Sequence, residues 1–167
     1  TLQTPPVGIP LVEEGLGLLI NELVYETGAT DSGAVKEWVE LYNGSNEVIN
    51  DLSGWKLVDG AGTEKALSGT IPAHGLYVYE TTSSWLNNIT SSNNTGDTLT
   101  LKNSSGQNVS QVTYKKLADE IIANANVVSA EPTLPDNYSI GRTTDGSTDP
   151  NAWTVFSTPS KGWFNDA

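Results

Sequence analysis

The chain has 167 residues and sets 8 Lys+Arg against 20 Asp+Glu, a net charge of −12. That balance argues against a nucleic-acid binder, which needs clustered cations to neutralise phosphates. There is no cysteine, so disulfide frameworks, thiolate metal sites and Cys nucleophiles are excluded, and an apolar core has to hold the fold. The polarity is largely uncharged, with 15 Asn, 16 Ser and 19 Thr, residues that favour turns, caps and sheet surfaces.

In chain order, residues 1–17 carry Pro5, Pro6, Pro10, Gly8, Gly15 and Gly17 without periodicity and read as an N-terminal linker or arm ahead of a single domain spanning 18–167. Leu18 to Tyr25 is apolar and β-branched enough for a strand. Lys36 to Tyr42 alternates, with Val39 and Leu41 on one face and Trp38, Glu40 and Tyr42 on the other. Asn43-Gly44-Ser45-Asn46 turns the chain into a short strand over Leu52 to Val58, which Asp59-Gly60-Ala61-Gly62 ends. Pro72-Ala73-His74-Gly75 is a further turn, feeding a half-buried strand at Leu76 to Glu80. After the polar loop Asn87 to Gly96, Asp97 to Leu101 and Val109 to Tyr114 flank Asn103-Ser104-Ser105-Gly106, a hairpin signal.

Lys115 to Asn126, with Leu117, Ile121 and Ile122 on one side, is the one helix candidate. Short strands follow at Ser139 to Arg142 and near Trp153 to Phe156, separated by the loop Thr143 to Pro150. No run approaches the roughly 18 apolar residues of a membrane span. Short alternating strands with turns every 8 to 12 residues point to an all-β antiparallel sandwich with at most one or two short helices.

The chemistry-bearing residues favour structure over catalysis. His74, the sole imidazole, sits at a turn, so any Ser-His-Asp scheme would rest on one loop side chain. A glycosidase needs two facing carboxyls, and Glu37 and Glu40, three apart, point to opposite faces. Glu22 on the first strand is within reach of one of them, but a cross-strand acid beside Lys36 or Lys56 reads more simply as a surface ion pair. Asp145-Gly146-Ser147-Thr148-Asp149 has the oxygen chemistry of a Ca²⁺ loop without EF-hand spacing, making Asp145 and Asp149 the candidate ligands. Trp38, Trp55, Trp85, Trp153 and Trp163 offer either a carbohydrate-stacking platform or packing, with packing favoured for Trp38 and Trp55. Asn-x-Ser/Thr sequons stand at Asn43, Asn88, Asn93, Asn103, Asn108 and Asn137, a set that leans toward the cell exterior. The chain starts at Thr1, has no Met and lacks a basic leader, as expected of a piece processed or excised from a longer protein.

Glu37-Trp38-Val39-Glu40-Leu41-Tyr42-Asn43, followed by Asp51-Leu52-Ser53-Gly54-Trp55-Lys56-Leu57, resembles the lamin-tail domain family. Ile71 to Gly75, Gly96 to Leu101 with the Ser105-Gly106 turn, and Val109 to Tyr114 follow in the family's order. Ser139-Ile140-Gly141-Arg142 with Thr158-Pro159 and Asn165 resembles the C-terminal portion of prokaryotic members. Lys115 to Asp136 departs as an insertion, and Ser160 stands where a Gly often follows the Pro.

The resemblance implies an immunoglobulin-like β-sandwich without catalysis, in which Gly54 permits a tight turn and Trp55 fills the sandwich interior or its end. It is similar to exported accessory modules, so the expectation is a non-catalytic extracellular or cell-surface interaction or structural module of a larger protein. Its partner would be a protein or cell-surface glycan, with no cofactor beyond that candidate Ca²⁺. A carbohydrate-binding module is the alternative. A nuclear-type tail that binds protein or DNA is the second, opposed by the acidity and by the lack of heptads for a rod.

Overall fold

A computed structural model describes residues 17–26, 36–81, 84–89, 95–124, 126–131 and 133–165. The expected N-terminal arm lies outside them except for Gly17. Among the described residues eleven strands run in chain order: β1 (Leu18–Val24), β2 (Trp38–Asn43), β3 (Lys56–Val58), β4 (Glu64–Ala66), β5 (Leu76–Glu80), β6 (Asp97–Lys102), β7 (Asn108–Leu117), β8 (Glu120–Ala123), β9 (Asn126–Ser129), β10 (Ser139–Arg142) and β11 (Trp153–Phe156). They form two antiparallel sheets, one ordered β11-β10-β1-β2-β5 and the other β4-β3-β6-β7-β8-β9. No helix occurs among the described residues.

The sandwich follows from side-chain alternation. Val39 and Leu41 of β2, Leu57 of β3, Leu99 and Leu101 of β6, Val112 and Tyr114 of β7, and Ile140 of β10 all turn into one shared core. Each such side chain stabilises the fold by roughly 1.5–3 kcal/mol relative to exposure. At one side of the sandwich the Asn126 amide donates to the Trp153 carbonyl at 2.8 Å, tying β9 to β11 across the two sheets.

The first strand breaks its own alternation, and the break positions everything that follows. Leu18 and Ile20 face the core, so strict alternation would carry Glu22 into it. The β1–β2 register shifts between Ile20 and Glu22, a bulge at Asn21 that turns the strand by one residue. Leu23 and Tyr25 thereby return to the core, and Glu22 faces outward, directly opposite Glu40 of β2 and Gly141 of β10.

The helix expected over Lys115 to Asn126 is instead strand. The end of β7 pairs with β8 through Lys115↔Ile122 and Leu117↔Glu120, and β8 pairs with β9. Ile121 and Ala123 fill the core as alternate residues of a strand, while Leu117 is 57% exposed. The apolar spacing that imitates a helix is overridden by the free edge of β7, which offers a ladder to β8, whose far edge in turn pairs β9. The turns that make this possible use positive φ at Ala118 and Asn124. β4 went unforeseen because Glu64-Lys65-Ala66 is a polar edge strand with little hydrophobic pattern.

Candidate functional site

The outer face of the five-stranded sheet is covered by the chain's own last described segment, residues 157–165, a strap that leaves β11 and crosses β10, β1 and β2. Its anchors are carboxylates. The Glu22 carboxylate accepts from the Ser139 hydroxyl, from the Ser160 amide at 3.1 Å and from the Ser160 hydroxyl at 2.5 Å. Glu40 Oε2 accepts from the Gly162 amide at 2.7 Å, and Glu40 Oε1 from Asn21 Nδ2 at 3.1 Å. The same Asn21 nitrogen donates to Asp145 Oδ1 at 2.6 Å, while Asp145 Oδ2 accepts from the Asn165 amide at 2.8 Å. Asn165 Nδ2 closes the set by donating to the Arg142 carbonyl at 2.7 Å. Glu22, Glu40 and Asn21 are all fully buried.

Two glycines make this approach possible. A Cβ on Gly141 would lie 2.9 Å from Glu22 Cγ and 3.0 Å from the Phe156 ring, so only glycine leaves Glu22 room to lie across β10. Gly162 adopts φ +77° at the turn of the strap, a conformation in which side chains are strained. Beside that turn, Lys161 pairs with Glu80 at 2.6 Å and lies 5.9 Å from the Trp38 ring. Phe164 meets Tyr42 edge to face, with ring centroids 6.3 Å apart.

Burial pushes the Glu40 carboxyl up to about 7, and the charges of Glu22 and Asp145 push the same way, against the lowering effect of the Asn21 and Gly162 hydrogen bonds. Arg142 is itself buried, donates to the Ile20 carbonyl at 2.8 Å and to the Ser147 carbonyl at 2.5 Å, and stacks over Trp153. Desolvation lowers its guanidinium to about 10.

Acids perform the same task elsewhere. Glu37 Oε2 accepts from the amides of Trp85 and Leu86 at 2.9 and 2.8 Å. Asp97 accepts from the amides of Gly60, Thr98 and Asn87, and Asp59 from Thr63 at 2.6 Å. Carboxylates that accept backbone N–H groups satisfy loops that a small sandwich otherwise leaves unpaired.

Glu37 and Glu40 do part to different regions, as the spacing predicts, and Glu22 meets Glu40. Neither Glu22 nor Glu40 is a surface ion pair, however: Lys56 pairs with Glu64 at 2.9 Å, and the strap removes both acids from solvent. Asp145 turns inward to Asn21 and Asn165, whereas exposed Asp149 accepts from the Asn151 amide in its own turn. Among the described residues no group of three or more His, Asp or Glu is arranged to hold a metal ion. His74, exposed at φ 53°, lies 2.9 Å from Asn46 Oδ1 and 3.4 Å from the Tyr42 hydroxyl.

The tryptophans divide. Trp38, Trp85 and Trp153 are buried. Trp55 is half-buried against the core and borders a shallow groove with Gly54, Lys56, Glu64 and Ala66. Trp163 is 75% exposed and its neighbour Phe164 46%. The sequon at Asn43 has its amide buried, donating to the carbonyls of Glu47 and Pro72, while Asn108 and Asn137 are exposed; Asn93 lies outside the described residues.

Sequence reasoning missed Asn21, Gly162 and Arg142, whose roles depend on segments more than 100 residues apart. Ser160 was visible only as a departure from the family's glycine, and its hydroxyl now has a reason, since it lies between two acceptors for its one proton, Glu22 Oε2 and Asn165 Oδ1.

No curated protein and no solved structure matches the chain. The family model of the Lamin Tail Domain matches residues 13–116, a span that takes in β1 to β6 and all but the last residue of β7 and includes Glu22 and Glu40 but neither the strap nor β10. With more than half its length matched, and the strands of that span folded into the two facing sheets, the chain belongs to the lamin tail domain family.

Proposed function

We propose that this domain is a non-catalytic interaction module of a larger extracellular or cell-surface protein, and that the strap presents its contact surface. The observation that carries the reading is Trp163, 75% exposed beside Phe164 on a segment fixed from beneath by buried carboxylates. Two adjacent exposed aromatics on an anchored segment offer apolar contact area, and a rigid aromatic loses little entropy on binding. The non-catalytic part is supported by the engagement of the buried acids, which accept N–H and O–H donors from loops and strap. The acidity supports a partner other than nucleic acid. The sequons and linker-led composition support an exterior location.

The test uses the purified domain. No turnover above blank is expected on polysaccharide, phosphoester or nucleic-acid substrates, and a clean rate on any of them would overturn the non-catalytic reading. Trp163 also favours the alternative of carbohydrate binding, because an open indole face stacks on sugar rings. A glycan array read alongside tryptophan fluorescence decides it: a response lost in Trp163→Ala supports a glycan partner, and silence across cell-wall polysaccharides leaves a protein partner. A salt-sensitive gel shift would restore the nuclear-type reading.

A further inference from the structure

The strap is held down by its own donors, which meet carboxylates that lie buried beneath it. We propose that it is a pH-dependent latch, closing over the five-stranded sheet with uptake of a proton by Glu40 and loosening as that carboxyl ionises.

The geometry carries the argument. Glu40 is fully buried, stands directly opposite Glu22 in the β1–β2 ladder, and is joined through Asn21 to Asp145. Its hydrogen bonds come from one side-chain amide and the Gly162 amide of the strap itself. The charged groups around it offer no relief. Glu22 on β1 and Asp145 on the loop after β10 are acidic. Arg142 on β10 turns its guanidinium to the carbonyls of Ile20 and Ser147. Lys161 on the strap turns to Glu80 of β5. Glu40 therefore surrenders its hydration to a site that returns two neutral donors and two like charges, and an ionised carboxylate is disfavoured there.

Lifting the strap removes the Gly162 donor but readmits water, and the carboxyl falls back from about 7 toward its ordinary 4.5. The closed form then binds more protons than the open form between those two values. By linkage, closure is strongest below about 4.5 and is progressively lost as pH rises through about 7. A difference of that size bounds the change in the opening equilibrium at about 300-fold.

The wild-type domain supplies the experiment. Amide hydrogen exchange of Ser160 and Gly162, corrected for intrinsic chemistry, is compared at pH 5 and pH 8, with the core amides of Leu99 and Val112 in the opposite sheet as references. The expected result is an opening equilibrium about ten- to a hundredfold larger at pH 8 for the strap amides, with the strap amides less protected than the core references at both pH values because the strap opens without unfolding the sandwich. A carboxyl-carbon titration should place the Glu40 inflection near 7. Inflection below 5, or strap protection equal at the two pH values, overturns the latch. In Glu40→Gln the strap amides should lose their pH dependence, and retention of it would refute the assignment to Glu40. Should that variant fail to fold, the wild-type titration and exchange still decide. No partner is involved in any of these readings, so the latch and the proposed interaction surface fail separately.

Discussion

The two sheets are built by the same alternation, yet their outer faces have opposite fates. On the six-stranded sheet the outward residues form a hydroxyl and amide ladder: Thr98 and Thr113 hydroxyls 2.9 Å apart, Gln111 donating to Thr100 at 2.8 Å, and Lys56 paired with Glu64. No described segment crosses it as the strap crosses the other sheet. On the five-stranded sheet Glu22 and Glu40 occupy equivalent outward positions, but the strap seals them in. An outward polar residue is thus decoration on one sheet and an anchor on the other, and only the covering segment makes the difference.

That contrast has a measurable order. Glu22→Ala should have the largest effect, about 3 kcal/mol in denaturant unfolding, because it strands the Ser139 hydroxyl and the Ser160 amide beneath the strap. Asn21→Ala, which removes the donor shared by Glu40 and Asp145, should cost about 2 kcal/mol. Next comes pH: Glu40, raised to about 7 from an ordinary 4.5, contributes stability that is complete below about 4.5 and lost as pH rises through about 7. The size is on the order of 2 kcal/mol once solvent screening is allowed for, and thermal melts from pH 4 to 8 should flatten in Glu40→Gln. On the opposite sheet, Thr113→Ala should cost less than about 1 kcal/mol, and Lys56→Ala less than about 0.5 kcal/mol, vanishing in salt. Equal losses for Glu22→Ala and Thr113→Ala would erase the distinction between the two faces.

How much of this the sequence discloses depends on range. Alternation within β2 reveals that Val39 and Leu41 point inward and that Glu40 shares a face with Trp38 and Tyr42, since a strand's period is local. The Asn103 to Gly106 hairpin is legible for the same reason: the Gly106 amide bonds the Asn103 carbonyl at 2.9 Å, and Gly106 takes φ +79°. The β8–β9 ladder is not legible, because Leu117, Ile121 and Ile122 fit a helix until the β7 edge is known. The bulge at Asn21 is likewise hidden, as nothing in Leu-Leu-Ile-Asn-Glu-Leu-Val announces which residue will be extra. The resemblance motifs reach Glu40 and Ser160 separately, but the burial of Glu40 comes from a turn 122 residues away.

The place of β1 has a consequence for how the chain is made. One neighbour, β2, follows soon after it, but β10 brings Ser139 to Glu22 from 117 residues downstream. A nascent or prematurely terminated chain can pair β1 on one side only, leaving the other edge open to strands of other molecules. Completion of the sheet thus waits for β10, a high-contact-order closure that favours slow folding. The strap that caps the acids arrives later still than β10, so an acidic compartment would aid its closure as well as the stability of the folded domain.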